Sequence, residues 1–200
     1  MMRAGGMRAG GMRGATQATA RGSTAQTTLA FIRHSAGEPA LQRILAGLSP
    51  RERDDVVSTD LTAELPYASL FALWHAADEE LAIASRDWMI DAGAFAIESA
   101  GKRLYGGLLQ KDSPEEFVTQ SVSLFRLYYA PGDMVAVQVE AGRAVLRLVG
   151  FESRGPIFCR RQTGGLLKAV ELAGGKSLRV LHVRCEHEGD AFCEWELSWS

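Results

Sequence analysis

Between about residues 38 and 130, apolar residues recur every three or four positions, which is the spacing of one helix face. The groups are Leu41, Ile44, Leu45 and Leu48 before Ser49-Pro50; Leu70, Leu73 and Trp74 after Pro66; and Leu81, Ala84, Trp88, Ala92 and Phe95 within a stretch from Asp78 to about Ala100. Ser113-Pro114-Glu115-Glu116 has the form of a capping box with proline in the first turn, so another helix is predicted from there to about Tyr129.

After Pro131-Gly132 the pattern changes to alternation of apolar and other residues, which is typical of strands. Alternation at 135–139 and 144–148, on either side of Ala141-Gly142, predicts a β-hairpin. A helix closed by Gly174-Gly175 and two strands follow, at 158–173, 178–185 and 193–199. The predicted fold is α+β, with N-terminal helices packed on an antiparallel sheet in a β-β-α-β-β C-terminal half.

The amino-terminal stretch differs from the rest because it has few large apolar residues. It begins with a Met-Arg-Ala-Gly-Gly repeat and continues, rich in threonine and alanine, to about Thr28. Such a segment buries too little apolar surface to offset the entropy of ordering it. We expect residues 1–37 to be a disordered basic extension and residues 38–200 to be one domain. A transit peptide or a basic arm for nucleic acid is the alternative to a dispensable extension.

Composition and charge limit the classes of function. Hydrophobic residues make up 46% and charged residues 23%, which is ordinary for a soluble globular protein, and no apolar run is long enough to span a membrane. Every acidic residue follows Gly37, so the net charge of −2 divides into a basic extension and an acidic body. An acidic body is not suited to phosphate backbones, and direct nucleic-acid binding is not expected. Three cysteines are too few for a disulfide scaffold, which favours a reducing, cytoplasmic location.

Candidate chemistry is concentrated in the last quarter of the chain. The residues that carry it are Cys159, His182, Cys185, His187 and Cys193. Gly189-Asp190 is a hairpin-turn dipeptide, so Cys185 and Cys193 can face each other across a tight connection. Three thiolates and one imidazole satisfy the tetrahedral preference of zinc. From chemistry alone, a zinc site and buried thiols acting as small hydrophobic residues are equally good interpretations.

The order of these residues carries a family resemblance. Cys159, Gly164, Cys185, the Gly189-Asp190 turn and Cys193 follow one another as in the zinc-bearing sensor members of the vinyl-4-reductase (4-vinyl reductase) domain family. The segment from Cys159 onward resembles that family specifically, and the predicted fold order extends the resemblance to about residues 38–200. Such domains occur in bacteriochlorophyll-pathway proteins and in sensor domains of aromatic-responsive transcription activators. They resemble in fold the Golgi transport-particle subunits and, more distantly, haem nitric-oxide-binding domains.

The resemblance implies a structural Zn2+ site. Its ligands would be Cys159, His182, Cys185 and Cys193, with His182 at the position where the family has a glutamate. Four protein ligands leave no position for water, so no catalytic residue is expected and the zinc would be non-catalytic. His187 is the alternative fourth ligand. Without His182, one position would stay open, and Glu186 or Glu188 would become the candidate base of a hydrolytic enzyme.

The resemblance also implies an apolar pocket between the helices and the sheet. The candidate lining residues are aromatic: Trp88, Phe95, Tyr105, Phe125, Tyr128, Tyr129 and Phe151. We therefore expect a small-molecule-binding regulatory or sensor module for an apolar or aromatic ligand, acting as a homodimer or through a protein effector. The anchors of phenol-sensing members have no clear counterpart here, so phenol itself is not expected.

Two other functions remain open at this point. One is an interaction scaffold resembling the transport-particle subunits, with a fully packed core. The other is a component of a tetrapyrrole-pathway reductase, although the sequence has no nicotinamide or flavin motif. A cavity above about 300 Å³ would favour the sensor over the scaffold.

Overall fold

The structure is a computed structural model, and it describes residues 17–101, 103, 113–120 and 122–200. The first half contains β1 (Thr19–Arg21), α1 (Gly22–Ala46), α2 (Pro50–Val57), β2 (Glu64–Pro66), α3 (Tyr67–Leu81) and α4 (Trp88–Ala96), which continues into a π-helical turn (Ile97–Gly101). The second half contains α5 (Pro114–Gln120), α6 (Val122–Tyr128), β3 (Tyr129–Ala130), β4 (Asp133–Glu140), β5 (Arg143–Val149), α7 (Pro156–Leu172), β6 (Arg179–Arg184), a 3₁₀ turn (Glu186–Glu188) and β7 (Glu194–Ser198).

The main sheet has the strand order β4-β5-β7-β6, and every neighbouring pair is antiparallel. Helix α7 lies in sequence between β5 and β6, so the C-terminal half has the predicted β-β-α-β-β order. Leu146 and Trp195 face each other across β5 and β7 and are fully buried, which places the core on the helix-covered side of the sheet. The predicted α+β fold is confirmed.

A second, smaller sheet was not predicted. Its order is β2-β1-β3, and β1 pairs with both neighbours in antiparallel register. Ala20 lies opposite both Leu65 and Tyr129, so this sheet joins three segments that are distant in sequence. Strands of two or three residues are too short to show an alternating pattern.

The predicted boundary of the amino-terminal extension was wrong for residues 17–37. Helix α1 begins at Gly22, and both Ala25 and Ile32 are fully buried. The hydroxyls of Thr27 and Thr28 donate to the carbonyls of Ser23 and Thr24, each at 2.8 Å. Small side chains whose hydroxyls are satisfied inside the helix can be buried, so a lack of large apolar residues did not mean disorder. Residues 1–16 lie outside the described part of the chain.

The predicted helix from Asp78 to Ala100 is divided into two. Helix α3 ends at Leu81, and α4 starts at Trp88. The indole Nε1 of Trp88 donates to Asp78 Oδ1 at 2.7 Å, and Arg160 on α7 donates to the same carboxylate at 3.2 Å. These contacts hold the chain in a turn that apolar periodicity does not reveal.

Helices α4 and α7 cross with their backbones in contact. A Cβ atom added at Gly93 would lie 2.1 Å from the Arg161 carbonyl oxygen, and one added at Gly164 would lie 1.8 Å from the Ile90 carbonyl oxygen. Only glycine permits this approach, which fixes α7 and thereby both candidate sites described below. Within the described ranges, no helix combines the length and apolar character needed to cross a membrane.

Candidate functional site

Four of the predicted site residues meet at one end of the sheet. Cys159 lies in the first turn of α7, His182 in β6, Cys185 directly after β6 and Cys193 directly before β7. One ligand atom from each of these residues lies within 4.8 Å of the others, and the Sγ atoms of Cys159 and Cys193 are 3.6 Å apart. We call these four residues the Cys/His cluster. The structure brings together the whole predicted metal-ligand set.

The loop between β6 and β7 shapes the cluster. Gly189 has φ of 102°, a left-handed conformation that closes the 3₁₀ turn at Glu186–Glu188. The Asp190 carboxylate accepts a hydrogen bond from the Cys185 backbone N–H at 2.8 Å. The His182 ring stacks on Trp195 with centroids 4.6 Å apart, which fixes its orientation. The cysteines are buried, so their thiols are shielded from solvent.

The thiols are not equivalent in their protonation. The Cys159 thiol donates to Cys193, and this contact, together with neighbouring His182, lowers the pKa of Cys193 to about 4. The same contact raises the pKa of Cys159, and burial raises the pKa of Cys185. Among the three thiols, the contacts thus favour the thiolate form at Cys193. A bound metal ion would release the remaining thiol protons.

The alternative fourth ligand, His187, and the candidate bases, Glu186 and Glu188, lie outside the Cys/His cluster. His187 Nε2 is hydrogen-bonded to Ser153 Oγ at 2.7 Å and does not join the cluster. The Glu186 carboxylate accepts a hydrogen bond from the same hydroxyl at 2.7 Å, and Glu188 is exposed. Among the described residues, the geometry thus favours His182 as the fourth donor and does not provide the arrangement of an open hydrolytic site.

A separate interior cavity of about 70 Å³ lies between the helices and the sheet. Its walls come from α5, α6, α7, the π-helical turn and β4. The residues that line it are Ile97, Phe117, Leu124, Phe125, Tyr128, Tyr129, Met134, Gln162, Gly165, Leu166 and Ala169. The wall is mostly apolar, but the volume is below the roughly 300 Å³ typical of a pocket for a drug-sized ligand.

Three of the predicted pocket residues, Phe125, Tyr128 and Tyr129, line this cavity. Three other predicted lining residues do not line this cavity, and each packs against another aromatic ring. Trp88 and Phe95 both pack on Phe31, and Phe151 packs on Tyr67 with ring centroids 4.9 Å apart. The last predicted lining residue, Tyr105, lies outside the described residues.

Sequence reasoning missed the contribution of α7 to this cavity. Gln162, Gly165 and Ala169 are spaced by three and four positions, so they share one helix face. That spacing was the available signal. A spacing that includes a glutamine, a glycine and an alanine does not mark a pocket as clearly as aromatic residues do.

No protein family and no curated protein sequence matches this chain. Solved structures do match. An H-NOX protein from S. oneidensis in the Fe(II)NO ligation state has a TM-score of 0.70 at 16% identity, covering 90% of this chain and 99% of its own. The Fe(II) unliganded H-NOX protein from K. algicida has a TM-score of 0.70 at 12% identity, covering 90% of this chain and 96% of its own. The chain therefore has the fold of the H-NOX domains, which are among the fold relatives named from the sequence.

The prediction of Zn2+ as the cofactor is contradicted by this comparison. The H-NOX neighbours are described as haem proteins in Fe(II) states, so the cofactor that accompanies this fold in them is haem iron. The spacing of thiols located a set of donor atoms correctly. Such donors suit several soft metal ions, so the spacing does not determine which cofactor a fold carries.

Haem, in turn, does not fit the described interior of this chain. A haem is larger than the ligands that occupy pockets of about 300 Å³, and this cavity measures about 70 Å³. Haem iron is held by His, Cys, Met or Tyr. None of the four histidines or three cysteines lines the cavity, and the lining residues of the other two types are Met134, Tyr128 and Tyr129. Burial raises the pKa of Tyr129, which disfavours the phenolate that iron would need.

Proposed function

We propose that this chain is a non-catalytic small-molecule-binding sensor module, of the type found in 4-vinyl reductase domains. The observation that carries the proposal is the interior cavity, whose wall combines aromatic rings with aliphatic side chains. Similarity in fold to proteins named for a bound small molecule, NO at a haem, also supports it. The cavity is below the roughly 300 Å³ that would favour a sensor over a fully packed scaffold, so the fold similarity is what favours the sensor over the scaffold. No observation on the described residues favours a reductase component.

The cavity limits the ligand to an apolar or aromatic molecule of small size. An apolar cavity of about 150 Å³ is enough for benzene. The cavity volume of about 70 Å³ is about half of that, so a single-ring molecule enters only if side chains such as Met134 move.

The test is to offer the purified full chain either haem or a small neutral aromatic molecule, benzyl alcohol. We expect benzyl alcohol to raise the melting temperature in a saturable way, because a ligand that binds only the folded state stabilises it. We expect added haem to produce no new Soret absorption band. A stoichiometric haem complex, or no response to benzyl alcohol, would reject the proposal.

We also propose that the Cys/His cluster holds one thiophilic metal ion in a structural role. The proposal is supported by four donor atoms within 4.8 Å of one another, contributed by α7 and by both strands of the last hairpin. An ion bound there would tie the start of α7 to β6 and β7. Elemental analysis of protein purified without added metal identifies the ion.

Output through a homodimer or a protein effector, and a cytoplasmic location, stay predictions. A dimer would double the mass measured by light scattering relative to the 21.7 kDa chain.

A further inference from the structure

Helix α7 carries a buried cation that has no counter-ion among the described residues. Arg161 is only 5% exposed, and no described carboxylate forms an ion pair with it. Its Nη2 atom makes a long hydrogen bond of 3.4 Å to Thr27 Oγ1, and its Cζ atom lies 5.3 Å from the centroid of the Trp74 ring. Its Nη1 atom is buried and has no hydrogen-bond partner within the described part of the chain.

This guanidinium lines a second cavity of about 40 Å³, which we call the Arg161 recess. The amide Nε2 of Gln162, which also lines the recess, is likewise buried without a hydrogen-bond partner among the described residues. The first turn of α1 borders the recess through Thr24, so the positive end of that helix dipole lies beside it. The Tyr129 hydroxyl, which also lines the recess, is hydrogen-bonded to the Arg161 and Thr24 side chains. The recess therefore offers donors and positive charge, and no described carboxylate lines it.

The Arg161 recess adjoins the interior cavity. The two share Ile97, Tyr128, Tyr129, Gln162 and Gly165 in their walls. The polar, positively charged recess thus lies directly beside the apolar cavity.

A buried guanidinium without an anion is unfavourable, because arginine stays protonated and an unpaired charge is costly to remove from water. A carboxylate matches the planar fork of the guanidinium and would also accept from the Gln162 amide. We propose that the Arg161 recess binds the carboxylate of a small organic acid whose apolar part occupies the interior cavity. This inference rests on the proposed function, because it names the chemical class of ligand for the same cavity.

One cation in a recess of about 40 Å³ matches a singly charged head group better than a phosphate, which is larger and more highly charged at neutral pH. Chloride has the right charge, but it uses neither the fork of the guanidinium nor the apolar cavity.

The experiment measures binding to the full chain by thermal shift and calorimetry, with benzoate and hexanoate as probes. Benzamide and 1-hexanol are their neutral counterparts, and sodium chloride is the simple anion. We expect each carboxylate to bind at least ten times more tightly than its neutral counterpart. We expect Arg161→Met to abolish that difference while the neutral probes still bind, and Arg161→Lys to keep part of it.

The unliganded Arg161→Met variant provides a second readout. Replacing a buried charge that lacks a partner with an apolar side chain of similar length is neutral or stabilising. We expect its melting temperature to equal or exceed that of the wild type. If Arg161 instead had a structural partner, this variant would melt at a lower temperature.

A variant of Asp112 tests whether Arg161 has such a carboxylate partner. Asp112 is the control because it is the one acidic residue in the sequence outside the described ranges. We expect Asp112→Asn to leave carboxylate binding unchanged. Equal losses of melting temperature in Asp112→Asn and Arg161→Met would overturn the inference.

The remaining outcomes separate this inference from the proposed function. If neutral and charged probes bind equally to the wild type and to Arg161→Met, the carboxylate site is rejected while the ligand cavity stands. The carboxylate site is also rejected, and the ligand cavity stands, if chloride raises the melting temperature as much as benzoate does. If no probe binds, both are rejected.

Discussion

The Cys/His cluster and the interior cavity both depend on α7, yet they are built in opposite ways. In the cluster, four donor atoms converge within 4.8 Å, and the space between them suits a single ion. In the cavity, mostly apolar side chains leave about 70 Å³ unfilled. The cluster is thus suited to stabilise the C-terminal hairpin, and the cavity is suited to exchange a ligand.

Under the proposed function, this difference separates the part that stabilises the fold from the part that binds a ligand. Removing one of the four metal-ligating side chains of the cluster should unfold the region around the β6–β7 hairpin. Filling the cavity should stabilise the protein and reduce ligand binding. The following predictions test this contrast, beginning with the largest expected effect.

Cys185→Ser is expected to have the largest effect. It removes one thiolate donor, so the variant should lose the bound metal ion and about 4 kcal/mol of stability, or on the order of 10 °C in melting temperature. Elemental analysis and thermal unfolding measure the two losses. His187→Ala is the matched control, because His187 contacts Ser153 outside the cluster and its variant should keep the metal. An unchanged melting temperature in Cys185→Ser would contradict the structural role.

Gly164→Ala tests the helix crossing that positions both sites. The new Cβ would lie 1.8 Å from the Ile90 carbonyl oxygen, so the α4 backbone must move. We expect a loss of about 3 kcal/mol in the free energy of unfolding, measured by chemical denaturation. A variant as stable as the wild type would show that α4 and α7 do not touch there.

Gly165→Ala, one residue further along, should have the opposite effect on the free energy of unfolding. Its Cβ would meet Ile97 Cγ1 at 3.6 Å, an ordinary contact in the wall of the cavity. Replacing a helical glycine should stabilise by about 1 kcal/mol, while the added methyl group weakens binding of benzyl alcohol. Denaturation and calorimetry test both parts, and tighter binding would argue against the cavity as the ligand site.

The smallest predicted effect concerns Glu115, at the start of the helix that walls the cavity. Its carboxylate accepts from the Gly142 backbone N–H at 3.2 Å and from Trp199 Nε1 at 3.1 Å. Hydrogen bonds from backbone N–H groups lower the pKa of Glu115 below its ordinary 4.5. Its contribution to stability is therefore present above pH 4.5 and is lost as the pH falls through the lowered pKa. Glu115→Ala should cost less than about 1 kcal/mol at pH 7 and a smaller amount at pH 2. An equal cost at both pH values would show that the charge is not involved.

The sequence predicted local features better than distant ones. The hairpin from Asp133 to Val149 was predicted because alternation and its turn are adjacent in the chain. Cys185 and Cys193 were placed together for the same reason, and the resemblance added Cys159 from α7. The small sheet joining β1, β2 and β3 was missed because two or three residues per strand carry no pattern.

The sequence predicted a pocket between the helices and the sheet only through the family resemblance, because an unfilled space results from how separate elements pack and no single residue marks it. Arg161 illustrates the problem. A charged residue in a helix is normally expected at the surface, and only the tertiary structure shows that its guanidinium is buried beside Gln162.

The central claim is that the interior cavity takes a small ligand, and methyl NMR of the methionines tests it most directly. Met134 lines the cavity, whereas Met89 is fully buried in α4 and does not line it. We predict that titration with benzyl alcohol shifts the Met134 methyl resonance in a saturable way and leaves the Met89 resonance in place. An unmoved Met134 resonance, or equal shifts at both methionines, would contradict the account.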